Sequence, residues 1–286
     1  MSSTKYTDTF DKKSSTLSMK YIDTHAHYTS RRFNKDRDSV IRRLLTSSVD
    51  KIIECGTNTW SNREVITLAE KYENVYATIG YFPCDAHELE NDPSLLSALE
   101  DQLQHHKVVG IGEIGLDYYH PGNPAVQKQW FVDQLELAKK LGLPVCIHSR
   151  DAEQDTIDIL KNNGPYIGVI HCYAYSPETM EVLAALGYYF GVGGTCTYSK
   201  NEDLREAIKR MPLERIVLET DCPYLSPKTR KRERNDSGNI PEVISEIAKL
   251  KGVSEEDVIR ITNENVKKLY PKFFAKKGDN RNDIYC

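Results

Sequence analysis

The sequence contains no long hydrophobic run. No stretch of its 286 residues approaches the roughly 18 consecutive apolar residues that a membrane-spanning helix requires. Residues 1–20 also lack the apolar segment and small-residue cleavage site of a secretory signal peptide. We therefore expect a globular, cytoplasmic protein with no membrane partner.

Cysteine pairs and an excess of basic charge are missing as well. The seven cysteines are scattered without a CxxC pair, which is typical of reduced thiols in the cytoplasm rather than of a disulfide framework. Thirty-eight Lys and Arg residues against 42 Asp and Glu residues give a formal net charge of -4. Such a chain has no global basic field for nucleic acid, so a polyanion would need a local site.

The chain instead alternates short runs rich in Val, Ile and Tyr with longer segments of helical apolar spacing. This pattern predicts a parallel α/β fold. The eight predicted strands are residues 21–25, 51–55, 75–81, 108–114, 144–148, 167–171, 188–192 and 216–220. Such a set can close into a barrel or spread into a doubly wound sheet, and the strand count with one uniform repeat favours a single-domain (β/α)8 TIM barrel.

Helical spacing is clearest over residues 127–140 and 178–186, and two extra C-terminal helices are predicted at 241–250 and 254–269. Ser254, followed by Glu256 and Asp257, indicates a helix start. No linker divides the chain. We therefore expect a flexible N-terminal tail at 1–20, one barrel domain at 21–272 and a polar C-terminal tail at 273–286.

Metal-capable side chains fall at the carboxyl ends of five predicted strands. In a closed barrel these ends form one face, where barrel enzymes place their active sites. The residues concerned are His25, His27, Glu113, His148, His171 and Asp221. A single histidine is more often structural than a ligand, but chance placement seldom puts all six at strand ends.

The spacing suggests how these side chains would share two divalent ions. His25 and His27 are two residues apart, so both imidazoles point to one side of an extended strand. Glu113 can bridge two cations through its two oxygens; Asp221 would complete the first ion's site, and His148 with His171 would serve the second. A mixed imidazole and carboxylate set accepts Mg, Mn or Zn, and the sequence does not choose among them.

Hydrolysis is the natural chemistry of such a centre. Two close ions would polarise a phosphoryl or acyl oxygen and lower the pKa of a bound water. Asp221 would take the proton of the attacking water as general base, which makes Asp221 and Glu113 the predicted catalytic residues. Arg150 could clamp a substrate phosphate or carboxylate with its planar guanidinium.

Other residues carry weaker signals. His120 follows Glu113 in a loop and could reach substrate, whereas His87, His105 and His106 are interpreted as structural. Glu54 and Thr195 also end predicted strands but are interpreted as bystanders.

The basic run at 228–234 has two interpretations. It is either a solvated loop or, since it follows the eighth strand, a loop that binds a phosphate backbone. Cys172 and Cys222 adjoin metal ligands, but strand alternation should turn both away from the centre.

Five stretches together resemble the TatD family of metal-dependent deoxyribonucleases, across nearly all of residues 21–270. They are DTHAH (23–27), GEIGLDYY (112–119), IHSRDA (147–152), HCY (171–173) and ETDCPYLSP (219–227). The resemblance implies the same ligand set and the same bridging Glu113. It adds the substrate class, because family members are described as Mg-dependent nucleases that trim DNA from the 3′ end. On this basis Arg150, His120, Tyr173 and Asn239 are expected to contact substrate.

The sequence departs from the family pattern at two places. The usual Gly-x-His-Pro-His stretch is replaced by Gly80-Tyr81-Phe82-Pro83-Cys84, and the Arg-Asn-x-Pro stretch appears as Gly238-Asn239-Ile240-Pro241. The lost arginine could be replaced by Arg232 or Arg234. These departures leave the hydrolytic centre complete but bear on substrate preference.

Three hypotheses follow from the residues. The first is a two-metal phosphodiesterase acting on DNA ends, with no partner protein implied. The second uses the same metal chemistry on another ester or amide, such as a misacylated aminoacyl-tRNA. The third is an idle barrel retained as a scaffold, which the complete ligand set argues against.

Overall fold

The computed structural model describes residues 19–274 and contains eight β-strands in one sheet. They are β1 (Tyr21–Ala26), β2 (Val49–Cys55), β3 (Val75–Ile79), β4 (Val108–Asp117), β5 (Val145–Arg150), β6 (Gly168–Ile170), β7 (Tyr189–Val192) and β8 (Ile216–Leu218). Each overlaps one predicted strand. The alternation read from the sequence is therefore confirmed.

The strands form a barrel. They lie in the order β1 to β8, and each pairs in parallel with the next. The ring is completed where β1 meets the end of β8: the Thr24 hydroxyl donates to the Leu218 carbonyl at 3.0 Å, and the His27 amide donates to the Cys222 carbonyl at 2.9 Å. The predicted (β/α)8 TIM barrel is confirmed.

The helices wrap the outside of this ring. Within the described residues they are α1 (Arg37–Ser47), α2 (Thr59–Lys71), α3 (His87–Asn91), α4 (Ser94–Leu103), α5 (Pro124–Leu141), α6 (Glu153–Asn163), α7 (Pro177–Ala185), α8 (Glu202–Arg210), α9 (Ile240–Lys251) and α10 (Glu255–Leu269). The predicted signals explain several ends. Ser254 caps α10 by accepting from the Asp257 amide, and α5 and α9 end at Gly142 and Gly252, whose φ angles of 61° and 67° suit glycine.

The extra C-terminal helices close one end of the barrel. One buried residue from each of several strands, including Ile22, Val109 and Val217, meets Leu269 and Tyr270 at the end of α10. Because these strand residues lie near the amino ends of their strands, α10 plugs that mouth and leaves the carboxyl ends facing outward. Polar groups support the plug, since Asn265 donates to the carbonyls of Leu213 and Ile216.

Several boundaries differ from the predicted ones. β4 continues to Asp117, three residues beyond the prediction, because all ten of its residues are buried and the chain stays paired with β5. β8 ends at Leu218, so Asp221 lies in the loop after the strand rather than at its end. Phe273, placed by the sequence analysis at the start of the polar tail, is buried in the α10 plug.

The tails themselves lie outside the described residues, apart from Met19, Lys20, Phe273 and Phe274. Among the described helices, none is long and apolar enough to cross a membrane.

We expect Leu269→Ala to destabilise the barrel, because Leu269 is fully buried in the plug and its truncation leaves a cavity between α10 and the strands. The expected loss in free energy of unfolding is about 2–5 kcal/mol, measured by urea denaturation followed by circular dichroism. Val253→Ala, at an exposed apolar position between α9 and α10, should shift the transition by less than about 0.5 kcal/mol. Equal stability of the two variants would contradict the plug.

Candidate metal centre

The six side chains singled out from the sequence converge at the carboxyl-terminal mouth of the barrel. Three are nearly buried: His25, Glu113 and His171 have side chains exposed by 1%, 5% and 4%. The other three, His27, His148 and Asp221, are exposed by 16–18% and face a cleft. The cluster thus has a buried floor and an accessible edge.

One oxygen of Glu113 faces the first group of predicted ligands. Glu113 Oε2 lies 3.5 Å from His25 Nε2 and 3.8 Å from His27 Nε2. Asp221 Oδ1 lies 3.2 Å from His27 Nε2 and 3.7 Å from His25 Nε2. Donor atoms of His25, His27 and Asp221 therefore surround a common point beside this oxygen.

The other oxygen of Glu113 faces the second group. Glu113 Oε1 lies 3.0 Å from His148 Nδ1 and 3.6 Å from His171 Nε2. His171 also stacks on His25, with ring centroids 3.7 Å apart, so the two groups share a wall. The carboxylate of Glu113 is the only side chain among the six that faces both groups through separate atoms.

On three of the histidines, the ring nitrogen that faces away from the centre lies close to an oxygen. His27 Nδ1 lies 3.0 Å from the Cys55 carbonyl, His148 Nε2 lies 3.2 Å from Asp117, and His171 Nδ1 lies 3.2 Å from Glu219. For His27 and His148 the acceptor fixes the tautomer of the neutral ring, so that the nitrogen facing the centre can bind a cation. His171 Nδ1 lies close to Glu219 but makes no hydrogen bond. Sequence reasoning missed Asp117 and Glu219, although both lie inside the quoted stretches as acids beside a ligand.

The buried carboxylate of Asp23 holds the loop that carries Asp221. Asp23 accepts hydrogen bonds from the Thr220 amide and hydroxyl at 3.1 and 2.7 Å, and from the Ser237 hydroxyl at 2.6 Å. These bonds tie β1 to the loop after β8, directly before Asp221. The backbone of Asp221 is left-handed, with φ of 55°, and this local conformation depends on such anchoring.

The charges of the centre suit cations. Burial lowers the pKa of His27 and of His148. Hydrogen bonds that His27 donates to Asp221, and that His148 donates to Asp117 and Glu113, outweigh this effect and raise both pKa values to about 9. Burial raises the pKa of Glu113, yet the neighbouring His171 and bonds from His148 and His25 hold it well below its ordinary value. The carboxylates are therefore anionic, and the nitrogen and oxygen donors fit Mg, Mn or Zn.

A cleft of about 870 Å³ opens over the centre. Two predicted substrate contacts line it, Arg150 and His120. His120 is oriented by Asp117, whose Oδ2 lies 2.8 Å from His120 Nδ1. Arg150 lies over the ring of Tyr119, with 3.7 Å between its guanidinium carbon and the ring centroid.

Two other predicted substrate contacts do not reach the cleft. Tyr173 is 1% exposed, and its hydroxyl donates to the Ser176 carbonyl while its ring packs on Phe190. Asn239 donates to the side chain of Asn235, which in turn holds the carbonyls of Thr220 and Tyr224. These polar groups are used in hydrogen bonds that build the loops, and neither residue is among those that line the cleft.

The basic run at 228–234 does not point into the cleft either. Arg230 pairs with Glu233 and Glu242, and Arg234 pairs with Asp36 at 2.6 Å. These carboxylates neutralise Arg230 and Arg234, and neither Arg232 nor Arg234 is among the cleft-lining residues. A role for this run in holding a phosphate backbone is not supported.

Two residues set aside in the sequence analysis do line the cleft, Cys172 and Thr195. Strand alternation fails for Cys172 because β6 ends at Ile170 and the backbone of Cys172 is left-handed, with φ of 47°. Glu54 stays outside the cleft, where it accepts from the Thr29 amide, and Cys222 is fully buried.

Comparisons with known proteins agree with this geometry. The family described as TatD related DNase matches residues 22–271. The chain is 35% identical to the uncharacterized metal-dependent hydrolase YabD of Bacillus subtilis, covering 87% of this chain and 98% of that protein. It is 32% identical to the 3'-5' ssDNA/RNA exonuclease TatD of Escherichia fergusonii, with coverage of 87% and 98%. The structure resembles that of YjjV, a TatD homologue from Escherichia coli, with a TM-score of 0.81, 32% identity and coverage of 88% and 98%.

We expect Asp117→Asn to weaken divalent-metal binding by about 10–100-fold, because the amide no longer fixes His148 through a charged acceptor. Chelator competition with metal analysis of the protein measures this. Asp155→Asn, at a surface carboxylate that pairs with Lys128, is the matched control and should bind metal normally. Equal affinity in both variants would remove Asp117 from the centre.

We also expect metal affinity to fall as the pH is lowered. His27 and His148, with pKa values raised to about 9, are protonated below that pH, and an imidazole must lose its proton to bind a metal. Affinity should therefore be highest near pH 9 and decline toward pH 6, with protons released on binding. Calorimetry in buffers of different ionisation enthalpy counts these protons, and a pH-independent affinity would contradict the assignment.

Proposed function

The chain belongs to the TatD family of metal-dependent hydrolases, and on that premise we propose that it is a deoxyribonuclease that removes nucleotides from the 3′ ends of DNA. The observation that carries the proposal is the two-sided position of Glu113. Its Oε2 lies near His25 and His27 and its Oε1 near His148 and His171. This arrangement suits two divalent ions.

The ligands divide between the two positions as the distances suggest. His25, His27 and Asp221 would hold one ion, and His148 with His171 the other, with Glu113 bridging. Two such ions supply a polarised phosphoryl oxygen and an activated water, which is what phosphodiester hydrolysis needs. The bridging carboxylate keeps its charge under working conditions, because its pKa lies well below the ordinary value.

Two side chains of the protein would then serve proton transfer and phosphate binding. Asp221 is the accessible carboxylate of the centre, and its pKa is lowered by contact with His27 against the opposing effect of burial, so it is an anionic base facing the cleft. It accepts the proton of the attacking water. Arg150 is held against Tyr119 and presents its guanidinium to a substrate phosphate.

The choice of DNA rests on the relatives and on the cleft. The exonuclease of Escherichia fergusonii, with which this chain shares 32% identity, carries 3'-5' ssDNA/RNA activity in its name. In this chain Phe82 lies beside His148, with ring centroids 4.6 Å apart, where the family pattern has a histidine. An apolar ring at this position favours contact with a base or sugar rather than with phosphate.

We expect Glu113→Gln to reduce exonuclease activity by at least about 100-fold with the fold unchanged, because the amide cannot serve two cations. The assay uses end-labelled single- and double-stranded DNA and metal-stripped protein resupplied with Mg, Mn or Zn. Asp221→Ala should be similarly impaired.

His87→Ala, at an exposed histidine that is not among the cleft-lining residues, is the matched control and should digest DNA normally. Metal-dependent shortening from the 3′ end supports the proposal. If DNA stays intact with every metal while the protein hydrolyses carboxylic esters or amides, the nuclease proposal is wrong and the same centre serves the other substrate class.

A further inference from the structure

Large exposed hydrophobic side chains are concentrated at the mouth of the cleft. Among residues 19–274, four of the six such side chains lie there or beside it. The four are Trp60, Tyr119, Tyr224 and Leu225, and the other two are Ile167 and Val253. Single exposed hydrophobic residues are ordinary, but a cluster around a binding cleft marks a contact surface.

The aromatic members follow one side of the barrel in strand order. Tyr224 comes from the loop after β8, Trp60 from the first turn of α2, Phe82 from the loop after β3, and Tyr119 from the loop after β4. We call these four residues the aromatic arc. Trp60, Tyr119 and Tyr224 are 59%, 60% and 49% exposed, so their faces are available to a ligand.

Arginines flank the rings of the arc. Arg31, from the loop after β1, and Arg150, at the end of β5, both line the cleft. Arg150 covers one face of Tyr119, and the guanidinium carbon of Arg32 lies 5.6 Å from the centroid of Tyr224. Positive charge for a phosphate backbone thus lies next to flat apolar faces.

The opposite side of the mouth is different. Apart from His171 on the floor of the centre, the loops after β6 and β7 contribute Cys172, Ala174 and Thr195 to the cleft, and none of these three is aromatic or charged. A flexible polyanion with planar groups would therefore be held along the aromatic arc, and one end of this polyanion would reach the metal centre.

We infer that the aromatic arc stacks the unpaired nucleobases next to the phosphodiester under attack, with Trp60 and Tyr224 as the residues that determine strand preference. The inference rests on the proposed function and deepens it. Aromatic side chains flanked by arginines bind single strands because every base offers a π face, whereas bases in a duplex are already stacked on each other. Single-stranded 3′ ends are then better substrates than blunt duplex ends.

The first experiment compares kcat/KM for one oligonucleotide as a single strand and as a blunt duplex. Trp60→Ala and Tyr224→Ala should each lower the single-strand value by about tenfold, the cost of one lost base stack, and lower the ratio of single-strand to duplex values with it. Trp60→Phe should retain most of both quantities. Ile167→Ala removes an equally exposed apolar side chain that is absent from the cleft, and should change neither.

A second experiment detects stacking without chemistry. The chain has two tryptophans, so Trp130→Phe leaves Trp60 as the single fluorophore. Single-stranded oligodeoxythymidylate added with Ca²⁺ should quench its emission saturably, and a duplex of equal length should quench it less.

The two experiments separate the arc from the proposed function. Quenching of Trp60 without hydrolysis under any metal would sustain the arc and overturn the nuclease. DNA digestion with an unchanged single-strand to duplex ratio in both alanine variants, and no quenching, would overturn the arc and leave the nuclease standing.

Discussion

The carboxylate of Glu113 is the group around which the centre is arranged. A buried anion is costly unless it is compensated, and here its two oxygens are compensated by separate pairs of imidazoles, His25 with His27 and His148 with His171. Each imidazole must then be oriented by a group on the side away from Glu113. Asp117 contacts His148 in this way, and Glu219 contacts His171. Removing the central charge would leave four histidines crowded together without the one carboxylate that faces all of them.

The closed ring of strands is what makes such crowding possible. Ligands from β1, β4, β5 and the loops after β6 and β8 meet only because the first and last strands are joined, and Asp23 makes that seam rigid through Thr220 and Ser237. At the other end, α10 fills the barrel with Leu269 and Tyr270. The stable plug and the reactive mouth are thus separated along the barrel axis.

The proposed nucleic-acid substrate would be attracted by local charges only. The net charge is -4, and within the conspicuous basic run Arg230 is paired with Glu233 and Glu242, and Arg234 with Asp36. The cations that remain at the cleft are arginines next to aromatic rings, so recognition would combine phosphate pairing with stacking. A DNA strand held in this way would be bound through its end, close to the candidate metal centre.

The sequence alone determined the eight-strand alternation, the barrel and the identity of the six converging side chains. Hydrophobic periodicity and strand-end position are local properties, so a linear pattern reports them. The sequence did not reveal that Tyr173 and Asn239 form hydrogen bonds within loops. Nor did it reveal that Cys172 lines the cleft, or that Arg230 and Arg234 form ion pairs. It also missed the supporting roles of Asp117 and Glu219 and the alignment of Trp60 with Tyr224 on one side of the mouth. These features depend on which residues from distant loops face each other, and only the closed tertiary structure brings those loops together.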